Sequence, residues 1–217
     1  MEVSGMTRRC GVCDLPLPDG RPCPNYWCGR DDRGFDVVWA VAPHQGELRR
    51  AIAGLKYRGE RRWAAPLGRL LARFLLDHSP WFEEVELIVG TPGNVGRARP
   101  ADHTRQILAA ARPAIDGLWA MDLDRPVLVK RAETRPMVDA GSAPMRRLWA
   151  AGELRAALVV GDGPAVRGRR ILAVDDVFTD GSTLREVALA LRGAGAVSVS
   201  GLVLARQPMV GGAGKAC

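Results

Sequence analysis

Lysine is nearly missing from this chain. Of 31 basic residues only Lys56, Lys130 and Lys215 are lysine; the rest are arginine, and 24 acidic residues leave a net charge of +7. Arginine forks match phosphate and carboxylate geometry. The basic excess therefore points to anionic ligands, either phosphorylated metabolites or nucleic acid. A GC-rich coding sequence gives the same Arg, Ala and Gly bias, so charge alone does not choose between them. No apolar run approaches the roughly 18 residues of a membrane span, and no membrane insertion is expected. Met1–Arg9 contains no apolar h-region, so a secretory leader is not expected and the cytoplasm is the expected compartment. The chain lacks a Gly-x-x-x-x-Gly-Lys-Ser/Thr loop, which excludes a P-loop nucleotidase. Gly161-Asp162-Gly163 lacks the third glycine of a dinucleotide fingerprint. Three widely spaced histidines argue against a histidine metal site; His103, beside Asp102 and Arg105, is the best placed for chemistry.

Hydrophobic residues at 47% and charged residues at 25% suit a soluble globular chain. The first thirty residues stand apart. They hold Cys10, Cys13, Cys23 and Cys28 with Pro16, Pro18, Pro22 and Pro24, too little apolar material for a core and a turn-rich pattern. The expected organisation is a small module over 1–35, a main domain over 36–208 and a frayed glycine-rich tail over 209–217. In the main domain Leu48, Ile52 and Leu55, then Leu67, Leu70, Leu71, Phe74 and Leu75, then Ile107, Leu108, Ala111 and Ile115, recur at helical spacing. Short apolar runs at Glu86–Val89, Pro126–Lys130, Ala157–Val160, Arg169–Asp175 and Val197–Leu204 read as strands. Strands alternating with helices predict an α/β fold with a mostly parallel sheet flanked by helices.

The strongest local signal is Ile171-Leu172-Ala173-Val174-Asp175-Asp176-Val177-Phe178-Thr179-Asp180-Gly181-Ser182-Thr183-Leu184. An apolar strand carries two adjacent carboxylates to its carboxyl end, where open α/β sheets bind ligands. Thr179, Asp180, Gly181, Ser182 and Thr183 then lead into a helix whose face is Leu184, Val187, Ala188 and Leu191. Thr183 and Glu186 fit a capping box. N–H groups at such a helix start attract anions, and Gly181 lets the backbone approach a phosphate closely. One end of the segment suits hydroxyls or a magnesium-bound group and the other a phosphate, as a ribose 5-phosphate requires.

Cys10-x2-Cys13 and Cys23-x4-Cys28, nine residues apart, suit four thiolates on a tetrahedral zinc ion in a closed structural site. Disulfides are the alternative, and a cytoplasmic setting disfavours them. Tyr26, Trp27, Arg21 and Arg30 either form a stacking, basic surface for single-stranded nucleic acid or pack the module onto the main domain.

The 171–184 segment resembles the phosphoribosyl-diphosphate (PRPP) signature of type I phosphoribosyltransferases. With the four-cysteine module, Leu55-Lys56-Tyr57-Arg58-Gly59 and the closing Leu202-Val203-Leu204-Ala205-Arg206, the chain is similar to the ComF-like, competence-associated branch of that family. The resemblance implies a type I phosphoribosyltransferase-like fold binding PRPP or another ribose phosphate with magnesium, and transfer to an acceptor. It implies Asp175 and Asp176 on the ribose hydroxyls and Thr179, Asp180, Gly181, Ser182 and Thr183 around the 5′-phosphate. It places Thr91, Pro92 and Gly93 in a diphosphate loop, with Arg97, Arg99 and Arg131 as further anion contacts. Asp180 stands where the motif usually has a small or hydroxylated residue. Arg99-Pro100-Ala101-Asp102 lacks the glycine usual there, and Thr179 replaces the acid that assists purine bases in salvage enzymes. An accessory role in DNA uptake, with single-stranded DNA and competence proteins as partners, is the alternative the resemblance carries. A homodimer built through the sheet domain is a third reading.

Overall fold

The computed structural model describes residues 8–17, 21–93, 102–208. The chain is α/β, with a four-stranded, wholly parallel sheet in the order β1-β6-β5-β2. The strands are β1 (Val38–Pro43), β2 (Leu87–Gly90), β5 (Arg170–Phe178) and β6 (Ser198–Arg206). Ile171-Leu172-Ala173-Val174 is buried throughout because alternate side chains enter different cores. Ile171 and Ala173 pack with Val199, Val203 and the helix α7 (Ser182–Gly193) residues Leu184, Val187 and Leu191. Leu172 and Val174 pack on the opposite face with Ile52, Leu55, Leu71, Leu75, Ile107 and Leu108. Those residues lie on α1 (Gly46–Arg58), α2 (Ala64–Asp77) and α3 (His103–Ile115). On α2 the buried stripe is Leu67, Leu71 and Leu75, while Leu70 sits at the exposed rim. Close approach of α2 and α3 requires Gly68: a Cβ there would lie 2.6 Å from the Ala110 Cβ.

Two of the expected strands, Pro126–Lys130 and Ala157–Val160, form outside the main sheet. They contain β3 (Leu128–Lys130) and β4 (Leu158–Val160), a separate antiparallel pair. The free edge of β2 is already occupied: Ile88 N–H donates to the Ala120 carbonyl at 2.8 Å, and Asp122 N–H to the Ile88 carbonyl at 3.2 Å. Between β3 and β4 the chain forms α4 (Ala143–Trp149), a π-helical turn (Ala150–Leu154) and α5 (Arg155–Ala157); the short α6 (Gly163–Val166) precedes β5.

The opposite edge of the sheet is covered by the cysteine segment. Val38 N–H donates to the Val12 carbonyl at 2.8 Å, and Ala40 N–H to the Asp14 carboxylate at 3.2 Å. Blocking both edges removes the unpaired ladder that would template association. Among the described residues no helix is long and apolar enough to cross a membrane.

Candidate functional site

Parallel strands deliver their carboxyl ends to one side of the sheet, and the chemistry collects there. β2 runs into Thr91-Pro92-Gly93, whose Thr91 N–H donates to the Val174 carbonyl at 2.8 Å. Beside it β5 carries Asp175 and Asp176. These loops, α1, the start of α3 and the β3–β4 excursion surround a cleft of about 660 Å³. Pro92, Gly93, Asp175, Asp176 and all of Thr179–Thr183 line it. Thr91 is buried beneath the lining and hydrogen-bonds through its side chain to Asp175. Arg131 is exposed and outside the lining, to which Lys130, Arg135, Arg146 and Arg49 contribute instead. Arg97 and Arg99 lie outside the described residues.

Two lining residues were absent from the expected site. Lys56 Nζ lies 2.6 Å from Asp176 Oδ2 and His103 Nε2 lies 3.0 Å from the same oxygen. Burial disfavours the Asp176 anion, but the Lys56 ammonium and His103 outweigh it and hold the carboxyl below the usual range. Burial likewise opposes the Lys56 charge, and Asp176 with Asp175 overcomes it, so the ammonium is held more firmly than usual. Asp175 is driven the other way: burial, then the Asp176 charge, push it up to about 6. Adjacent carboxylates thus have opposite proton affinities. The usable signal was Lys56 itself, a lone lysine in an arginine-dominated region, projecting from a helix toward the acidic pair.

Asp102 fixes the second wall. It N-caps α3, accepting from Thr104 and Arg105 N–H at 3.0 and 3.2 Å. Its other oxygen accepts from Gly93 N–H at 3.1 Å, pinning the loop after β2 to the helix that presents His103.

The predicted capping box at Thr183 and Glu186 does not form. The N-cap of α7 is Gly181, at φ +93°, two residues earlier than the box requires. The buried Glu186 carboxylate instead pairs with two arginines, the buried Arg185 through Nη1 at 2.7 Å and the exposed Arg155 through Nε at 2.7 Å. Asp180 takes the capping role: its Oδ1 accepts from Ser182 N–H at 3.0 Å, and Oδ2 lies 3.5 Å from Arg146 Nε. The carboxylate that departs from the sequence motif therefore occupies an amide of the turn before α7 and is itself faced by an arginine.

The Sγ atoms of Cys10, Cys13, Cys23 and Cys28 all lie within 4.8 Å of one another. None is in a disulfide, and Cys13 Sγ and Cys23 Sγ are 3.6 Å apart. Zn–S bonds of 2.3 Å give tetrahedral S···S edges of roughly 3.8 Å, so the four thiolates fit a tetrahedral ion such as zinc. With four sulfurs the shell is closed and the site is structural in kind.

The module's second knuckle touches the cleft. Asn25 Nδ2 donates to the Asp180 carbonyl at 3.0 Å, and the Arg185 guanidinium sits 4.5 Å over the Trp27 ring. Trp27 thus packs onto the main domain, while Tyr26 stays 47% exposed between Arg147 and Arg30, at 4.2 and 5.1 Å. Scans against protein-family models and curated proteins return no match for this chain.

Proposed function

We propose that this chain is a phosphoribosyltransferase-like protein of the type I fold, of the ComF-like kind, that binds PRPP or a related ribose phosphate with magnesium in the cleft. The observation that carries the reading is one cleft holding Asp175 and Asp176 at one end and the Thr179–Thr183 turn at the start of α7 at the other. The first turn of a helix leaves N–H groups without intrahelical partners, a match for a phosphate. The carboxylates accept from the ribose hydroxyls. Gly93 and Pro92 border the space where the diphosphate of PRPP lies, and Lys56, Arg49 and Lys130 supply positive potential around it.

In transfer, the bond from ribose C1 to the diphosphate oxygen breaks and the diphosphate leaves with the electron pair. The acceptor's nucleophilic atom forms the new bond to C1 and gives up its proton. Magnesium arriving with PRPP would be held mostly by the ligand's own oxygens and water and would supply neutralisation of the leaving diphosphate. The protein's part is positioning and electrostatic stabilisation of a positively charged ribosyl centre. Calorimetry of PRPP with magnesium, followed by an acceptor screen, tests the reading. No binding heat, together with Asp176→Asn leaving any activity unchanged, would sink it.

A second reading is an accessory that binds single-stranded DNA. Tyr26, half-exposed between two arginines, is the arrangement that supports it. Fluorescence anisotropy with a labelled oligonucleotide should then show salt-sensitive binding lost in Tyr26→Ala; a flat titration at low salt removes it.

A further inference from the structure

We infer that the four-cysteine module is a working part of the ribose-phosphate site, and that Asn25 is a positioning residue for the 179–183 turn. The inference rests on the ligand reading above.

Asn25 lies between two of the cysteines and is 3% exposed. Its side chain uses both ends. Oδ1 accepts from Trp27 N–H at 3.0 Å, shaping the knuckle between Cys23 and Cys28. Nδ2 donates to the Asp180 carbonyl at 3.0 Å, across 155 residues of sequence. In a trans peptide the carbonyl and the following N–H point in opposite directions. Holding the Asp180 carbonyl toward the module therefore directs the Gly181 N–H away from it, on the side where Gly181 lines the cleft. Gly181 needs such a clamp. At φ +93° a glycine has neighbouring conformations of similar energy, and a flipped peptide would present a carbonyl where an anion is to bind.

The packing agrees. A Cβ on Gly181 would lie 2.8 Å from Phe178 Cζ and 3.3 Å from Trp27 Cδ1, so the turn is sandwiched between the strand and the module. Behind Phe178 lies Arg206, its guanidinium 4.8 Å over that ring and 4% exposed, so the strand side of the turn is backed by packed side chains.

Asn25→Asp separates the two functions of the side chain. It keeps an oxygen for Trp27 N–H and removes only the donor to Asp180. Asn25→Ala removes both but adds no charge, which controls for repulsion of an anion. Both are made in the zinc-loaded full chain and titrated with ribose 5-phosphate and with PRPP–magnesium. The expected result for Asn25→Asp is one zinc per chain, an unchanged cobalt-substituted absorption spectrum, and a Kd raised about 5- to 30-fold; Asn25→Ala raises Kd at least as much. Wild-type affinity in Asn25→Asp, or a loss only in proportion to missing zinc, overturns the inference. Failure of the wild-type chain to bind either ligand instead removes the ribose-phosphate reading, and this inference with it.

Discussion

Lys56 and Asp176 form an ion pair of 2.6 Å at the floor of the cleft, with the carboxylate 2% and the lysine side chain 30% exposed. The pair joins α1 to the carboxyl end of β5 and holds the Asp176 carboxylate ionised at the acidic end of the cleft. Removing Lys56 leaves the Asp176 charge in a site that water scarcely reaches, whereas removing Asp176 leaves a partly solvated ammonium. Lys56→Ala is expected to lower stability by about 3 kcal/mol and Asp176→Asn by less, read by urea unfolding. An unchanged midpoint in both would show the pair to be solvated and inconsequential.

Asp175 is expected to behave in the opposite sense. Its folded carboxyl holds a proton up to about 6 against an ordinary 3.8, so the folded state binds more protons than the unfolded state over that interval. Stability contributed by this group is present below 3.8 and is lost as pH rises through about 6. Asp175→Asn should therefore melt higher than wild type at pH 8, with the difference vanishing at pH 4. Ligand affinity runs the other way. The ionised carboxylate is the better acceptor for a ribose hydroxyl, so affinity falls as pH drops through that range in wild type and more weakly in Asp175→Asn. The ligand's own phosphate titrates identically in both proteins, so the difference between the two profiles carries the test.

On the proposed ribose-phosphate reading, Asp180 competes with a phosphate for its own turn. Its carboxylate holds Ser182 N–H and faces Arg146. Asp180→Ala frees both groups and removes a negative charge. PRPP–magnesium affinity by calorimetry is expected to tighten about tenfold, the worth of one charge-assisted hydrogen bond. Weaker binding would mean that the carboxylate builds the turn rather than blocking it.

The cysteine segment covers the edge of β1 and buttresses the turn before α7, so its integrity should show far from the sulfurs. Cys13→Ser, or treatment of the loaded chain with a chelator, is expected to release the metal and lower the melting temperature by at least about 10 °C. Hydrogen exchange should rise at Val38 and Ala40, whose N–H groups bond to the Val12 carbonyl and the Asp14 carboxylate. Unchanged exchange at those amides would show that the segment folds without its ion.

What could be read from the chain alone was local. Ile171–Val174 followed by Asp175 and Asp176 determines a buried strand ending in carboxylates, because a run apolar on both faces needs cover on both faces. Two short cysteine pairs determine a four-thiolate cluster, because the spacing brings sulfurs together within thirty residues. Neither statement depends on distant contacts. The tertiary structure decided the rest. Only packing of α1 and α3 over the sheet brings Lys56 and His103 to Asp176, groups separated by more than seventy residues in sequence. Only the pairing at Ile88 with the segment after α3 keeps β3 and β4 off the main sheet. The helix starts at Gly181 and not at the Thr183 box, and Glu186 is engaged by the buried Arg185 and the exposed Arg155 instead of capping. Asn25 is a generic polar residue in sequence; its contact with Asp180 exists because the module folds back across the sheet edge and meets the turn there.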